Sequence, residues 1–152
     1  MTKSRKATKK KRIARRAPAR KPRAIAPAQI AAAIAGLPPV GAPFHDGIYA
    51  GLSLENERPV ALVLLPGDAD DLTWEQAKAW AAEKEASLPS RIDQLVLFKN
   101  LKSQFQGAWY WSGEPNAGAE SWAWGQYFYY GYQIITHKGT KFRARAVRRI
   151  AI

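Results

Sequence analysis

The spacing of apolar and polar positions divides the chain into stretches of different period. Ile48–Leu54 and Val60–Leu65 alternate and run apolar in the manner of two strands, joined through Glu55–Pro59 as a hairpin. Thr73 then offers an N-cap, and Gln76 three residues on completes a capping box. The helix that follows carries Trp74, Ala77 and Ala81 on one stripe and Glu75, Lys78 and Glu85 elsewhere. After Leu88 and Pro89, Ser90 caps a second helix, in which Ile92, Leu95, Phe98, Leu101 and Phe105 recur at helical spacing. From Trp109 onward the period falls to two. Trp122, Trp124, Gln126 and Phe128 are expected on one face, and Ala123, Gly125, Tyr127 and Tyr129 on the other. Gly131 marks a turn, Tyr132–His137 a return strand, and Phe142–Ile150 a strand closing the sheet. A hairpin, two helices and a run of strands make an α+β layout.

Ahead of this domain the pattern changes. Residues 27–35 read as a short helix with Pro27 in its first turn, Gly36 as its stop, and Ile30 and Ile34 on one face. Nine residues are marginal as an isolated helix, so the piece is a linker or a peptide that docks on a partner. LPPVGAP (Leu37–Pro43) marks a boundary by its proline and glycine content. Three segments follow: a basic arm, 1–26; the helix and linker, 27–43; and a folded domain, 44–152.

Charge sharpens that division. The net charge of +12 resides in residues 1–23, which hold twelve Lys or Arg and no acid, whereas the remainder holds twelve of each sign. Like charges with nothing to bury predict a solvated arm. Lys9, Lys10, Lys11, Arg12, Arg15 and Arg16 form its densest part. Such a run binds polyanions by counterion release, or an acidic surface of a larger particle. The neutral domain carries no such expectation. For Arg143, Arg145, Arg148 and Arg149 pairing with the domain's own acids is therefore preferred over a nucleic-acid stripe.

Cysteine is absent, which excludes disulfides, thiolate metal ligands and cysteine nucleophiles. No apolar run reaches the ~20 residues that cross a bilayer. The basic start followed by IAPAQIAAAIAGLPPVGA imitates a signal peptide, but the basic block is over-long and Pro27 and Gln29 interrupt the apolar stretch. His45 and His137, the two histidines, have nothing that places them together, so neither a zinc site nor a catalytic dyad is expected. Asp68, Asp70 and Asp71 precede the Thr73 helix, where carboxylates favour the positive end of the helix dipole.

The candidate chemistry lies in the aromatics. Ten of seventeen fall between Trp109 and Tyr132. Tryptophans suit a core, but Tyr keeps a polar tip and is favoured where one end stays wet. Tyr-rich surfaces serve binding because the ring is rigid contact area at low entropy cost. A domain of this size cannot bury Tyr127, Tyr129, Tyr130 and Tyr132 with every hydroxyl satisfied. Tyr127, Tyr129 and Tyr132 are expected to be exposed, with Trp124 and Phe128 buried beneath them.

Six motifs carry a family resemblance: DGIYAG (Asp46–Gly51), TWEQA (Thr73–Ala77), LPSR (Leu88–Arg91), WYWSG (Trp109–Gly113), AWGQYF with its following Gly131 and Gln133, and RARAVRR (Arg143–Arg149). Together they resemble C-type-lectin-fold domains of phages and bacteria. These include the C-terminal domains of Lcl-type collagen-like adhesins and the variable proteins of diversity-generating retroelements. The resemblance implies a C-type-lectin-like fold and a non-enzymatic ligand-binding role without a cofactor. It also implies a scaffold of Trp124, Gln126, Phe128 and Gly131. The display positions would be Gly125, Tyr127, Tyr129, Tyr130, Tyr132, Ile134, Ile135, Thr136 and His137. Enzymes of this fold that generate formylglycine use cysteines, and this chain has none.

Glu114-Pro115-Asn116 matches the triplet by which calcium-dependent lectins hold Ca²⁺ and mannose-type hydroxyls. The partner Trp-Asn-Asp strand of those lectins is missing, since Trp122 is followed by Ala123 and Trp124. Calcium takes six to eight oxygens, and Glu114, Asn116, Glu120 and Ser121 fall short, so no metal site is expected. The reading is a phage virion-associated module displaying its aromatic surface to a host-surface protein or glycan. The basic arm holds it to other virion proteins, with homo-oligomerisation open. The alternative is a virion, nucleoid or cytoplasmic structural protein whose arm binds nucleic acid while the domain serves assembly.

Overall fold

The computed structural model describes residues 24–152. The arm cations Lys9, Lys10, Lys11, Arg12, Arg15 and Arg16 lie outside the described residues. Helix α1 (Pro27–Ala35) opens with Pro27 and is closed by Gly36; the Gln29 side chain accepts the Ala26 N–H at 3.1 Å, and no residue of the helix is buried. Strand pairing begins a little before Phe44. The Gly41 N–H donates to Tyr49 O at 2.8 Å, and β1 (Pro43–Phe44) pairs with the start of β2 (Gly47–Glu55).

Strand β2 and β3 (Arg58–Leu64) form the expected hairpin, but with a tighter turn than Glu55–Pro59. Glu55 pairs with Arg58, leaving Asn56 and Glu57 alone in the loop at φ 50° and 63°. Two residues of positive φ make the turn whose twist matches that of the strands, and Asn tolerates it well. Strand β3 is central and buried on both faces, as a continuous run of Val, Ala and Leu demands. Its Val63 packs with Trp74, Ala77 and Ala81, while Leu62 and Leu64 pack with Leu97, Leu101 and Phe128.

The short β4 (Ala69–Leu72) leads into α2 (Trp74–Glu83), where Thr73 and Gln76 form the capping box. Trp74, Ala77 and Ala81 are the buried stripe, as the spacing predicted. Ser90 caps α3 (Arg91–Leu101). Here the buried face differs from the expected one: Asp93, Gln94, Leu97 and Leu101 are inside, whereas Ile92 and Leu95 are 47% and 52% exposed. Polar side chains displace aliphatic ones because each is fixed by bonds across the core. Asp93 accepts from Ser53 Oγ, from the Ser90 N–H at 2.8 Å and from the Arg149 guanidinium. The Gln94 amide donates to Tyr110 O at 3.2 Å. After a single 3₁₀ turn (Lys102–Gln104), Phe105 lies beyond the helix.

Strands β5 (Trp109–Pro115), β6 (Trp122–Tyr127) and β7 (Gln133–His137) make an antiparallel meander. The expected single closing strand Phe142–Ile150 is two. Strand β8 (Phe142–Ala144) joins β4 and β5, while β9 (Val147–Ala151) crosses over to pair with β3. Buried Arg145 and Ala146 make the crossing, and the Leu65 N–H donates to Ala146 O at 3.0 Å. The result is an α+β fold with a four-stranded sheet, β1-β2-β3-β9, and a five-stranded sheet, β4-β8-β5-β6-β7. Among the described residues no helix is long and apolar enough to cross a membrane.

Candidate binding surface

The turn between β6 and β7 is held at both ends and from below. The Tyr127 N–H donates to Tyr132 O at 2.8 Å, the Gly131 N–H to Tyr127 O at 2.6 Å, and the Phe128 N–H to Ala108 O at 2.9 Å. Phe128 points inward, 1% exposed, stacked on Phe105 at 3.9 Å and edge-on to Tyr110 at 5.2 Å. Gly131, at φ +87°, rests on the Phe98 ring, and a Cβ there would lie 2.8 Å from it. Only glycine meets both demands without strain.

With Phe128 inside, its neighbours are turned out. Tyr129, Tyr130 and Tyr132 are 53%, 62% and 61% exposed. They contact one another, Tyr129 and Tyr130 edge-to-face at 4.5 Å and Tyr130 and Tyr132 at 5.7 Å. Lys102 Nζ hangs 5.6 Å from the Tyr129 ring.

Tyr127 departs from its expected exposure. It is half-buried because it stacks on Trp109 at 5.1 Å, which stacks in turn on Phe142 at 5.5 Å. The ridge of tyrosines is thus rooted in a row of rings that continues to buried Trp111, 4.6 Å from Phe142.

The other expected faces of β6 need correction. Ala123 and Gly125 are buried and Trp122 is 41% exposed, the reverse of a simple inner row of tryptophans. Gly125 is not displayed: a Cβ there would meet Phe142 at 2.9 Å and Tyr110 O at 3.2 Å. Trp124 is half-buried, covered by the Arg91 guanidinium 3.5 Å above its ring.

Gln126 is fully buried and joins a chain of amides. Gln133 Nε2 donates to Gln126 Oε1 and to Arg91 O, both at 2.8 Å, Gln126 Nε2 donates to Gln94 O at 3.0 Å, and Arg91 Nε donates to Gln133 Oε1 at 3.1 Å. This chain rivets α3 to β6 and β7. Ile134 and Ile135 are 40% and 39% exposed, His137 is exposed, and Thr136 is half-buried. Lys102 is the member of this surface that sequence reasoning missed, since nothing in its helical spacing marks it as a neighbour of Tyr129.

The remaining candidates have structural partners. The Glu114 carboxylate accepts the Arg91 N–H at the start of α3, and Asn116 Oδ1 accepts the Gly118 N–H at 2.9 Å. Among the described residues no three of His, Asp and Glu converge as metal ligands would. In the acidic loop, Asp68 and Asp70 pair with the Arg143 guanidinium at 3.0 and 2.9 Å.

Arg148 pairs with Asp46 at 2.9 Å and Arg149 with Asp93. Arg145 differs from its expected pairing: it is buried, donates to Leu65 O at 3.0 Å and to Gln104 O, and burial lowers its pKa. Burial, and then the hydrogen bond to Asp68 at 2.6 Å, push the Tyr110 hydroxyl up to about 12. No protein-family model matches the chain, and no curated protein matches it.

Proposed function

We propose that the chain is a non-enzymatic binding module of C-type-lectin-like fold. Its Tyr129–Tyr132 turn meets a protein or glycan on a host cell surface, and its basic arm tethers it to a larger particle such as a phage virion. The supporting observation is the contrast between the turn and what lies under it. Three tyrosines are more than half exposed on a segment locked by Phe128, Gly131 and Phe98. Rigid, preorganised aromatic area loses little entropy on binding. A second reading, a structural protein that binds nucleic acid, is supported by the twelve cations of residues 1–23.

The test presents the full chain to a glycan array and to immobilised surface proteins of bacterial hosts, with excess heparin to occupy the arm. A triple variant, Tyr129→Ala with Tyr130→Ala and Tyr132→Ala, is compared. A heparin-resistant ligand lost on triple substitution, with melting preserved, supports the module. Binding that heparin abolishes and the triple variant retains supports the structural protein instead.

A further inference from the structure

Four segments meet around a cleft of about 490 Å³: the β1–β2 turn, the residues after β3, the 3₁₀ turn after α3, and the crossing between β8 and β9. Small organic ligands occupy clefts of about 300–1,000 Å³ with a mostly apolar wall and a few polar groups. Here Pro43, Ile48, Leu64 and Pro66 give the apolar wall. The polar groups are His45, Asp46, Gln104 and Arg145. No tyrosine of the β6–β7 turn lines this cleft.

Arg145 is the one buried cation among the described residues, 7% exposed. Buried charges are ordinarily matched by an opposite charge. Arg143, Arg148 and Arg149 each meet a carboxylate, whereas Arg145 has no ion pair among the described residues. Its acceptors are two neutral carbonyls, Leu65 O at 3.0 Å and Gln104 O, and its Nε–H has no hydrogen-bond partner. Asp68 acts on it through space, but that carboxylate is already held by Arg143 and Tyr110. A guanidinium carries five N–H donors in a planar fork that fits a carboxylate. The two carbonyls leave part of that fork unused and all of its charge unmatched.

We infer that this cleft binds an organic anion, a carboxylate on an apolar body, whose charge matches that of Arg145. The carboxylate takes up N–H groups that the carbonyls leave, and the body lies against Ile48, Leu64 and the two prolines. Water is largely excluded around Arg145, and a low local dielectric strengthens attraction between opposite charges. The one carboxylate of the lining, Asp46, is neutralised by Arg148 at 2.9 Å and so does not turn the ligand away. A free small acid and the C-terminus of a peptide ending in an apolar residue share this chemistry. The inference rests on the cleft and not on what the tyrosines bind.

The test is a titration of the isotopically labelled full chain followed by nuclear magnetic resonance, in salt that screens the exposed arm far more than a buried charge. Hexanoate shifts the Arg145 Nε–H signal and the Ile48 and Leu64 methyl signals together and saturably. Hexanamide, equally apolar in its chain but uncharged, does not. Gln104 is exposed and holds Arg145 by its backbone O, so Gln104→Glu sets a rival carboxylate in the cleft and leaves melting unchanged. That variant binds hexanoate roughly tenfold more weakly, or weaker still. Arg145→Met abolishes the Ile48 and Leu64 shifts; where it does not fold, Gln104→Glu decides. An acetylated Ala-Ala-Ile peptide with a free carboxylate separates the two sources: tighter binding than hexanoate assigns a peptide terminus, weaker binding a free small acid. Absent or unsaturable shifts, equal shifts from hexanoate and hexanamide, or undiminished binding in Gln104→Glu overturn the inference. Inorganic phosphate that binds the cleft as tightly as hexanoate overturns the assignment of an apolar body.

Discussion

Phe128 and Tyr130 are two residues apart on one turn, and their truncation separates the support of the surface from the surface itself. Phe128 is 1% exposed and touches Phe105, Tyr110 and Phe98, with ring centroids at 3.9, 5.2 and 6.0 Å. Removing a buried Phe side chain costs ~3–5 kcal/mol. Each aromatic pair lost adds ~0.5–1.5 kcal/mol beyond area, part of which that figure already includes. At about 4 °C per kcal/mol for a domain of this size, Phe128→Ala lowers the melting temperature by roughly 12–20 °C.

Tyr130 is 62% exposed, and its ring meets Tyr127, Tyr129 and Tyr132 at the surface. Tyr130→Ala changes stability by only ~0.5 kcal/mol. As a contact residue it costs ~2 kcal/mol or more of binding. The assay is thermal unfolding of both variants beside the wild type by near-ultraviolet circular dichroism. Equal melting of the two variants, or loss of the fold in Tyr130→Ala, refutes the separation of a buried ring from a displayed one.

Three further outcomes are expected. Stability falls as pH rises from the ordinary tyrosine range toward about 12, because the folded-state pKa of Tyr110 is raised by burial and by Asp68. The contribution is full below the unfolded pKa of ~10, fades as pH climbs through the folded value, and is absent in Tyr110→Phe; alkaline denaturation curves check it. A chelator leaves the melting temperature unchanged, since Glu114 is engaged by the Arg91 N–H and Asn116 by the Gly118 N–H. A rise of several degrees in millimolar Ca²⁺, lost in Asn116→Ala, refutes that assignment. Heparin retains the full chain at physiological salt and releases a chain lacking residues 1–23, because the rest is charge-neutral. Equal retention of the two places a polyanion site in the domain.

What the sequence determined by itself was local. Thr73 and Ser90 begin helices because their hydroxyls meet backbone N–H groups three residues away, and neither bond needs the rest of the chain. The spacing of Trp74, Ala77 and Ala81 settles which face of α2 is buried, and VALVLL reads as a strand wherever it is placed. The exposure of Tyr129, Tyr130 and Tyr132 was legible in the same way, since their number exceeded what so small a domain can bury.

Distant contacts decided the rest. Ile92 and Leu95 are at helical spacing yet exposed, because Asp93 and Gln94 are claimed by Arg149 and Tyr110, 56 and 16 residues away. Tyr127 is withdrawn from the surface by Trp109, and Gly125 is sealed by Phe142, neither of which alternation along β6 can reveal. The chain between Phe142 and Ile150 reads as one strand, but it is divided where Arg145 and Ala146 carry it from one sheet to the other. Periodicity reports how a segment faces its own neighbours along the chain. Which side of the molecule those neighbours face is set by partners far away in sequence, and only the folded arrangement brings them into contact.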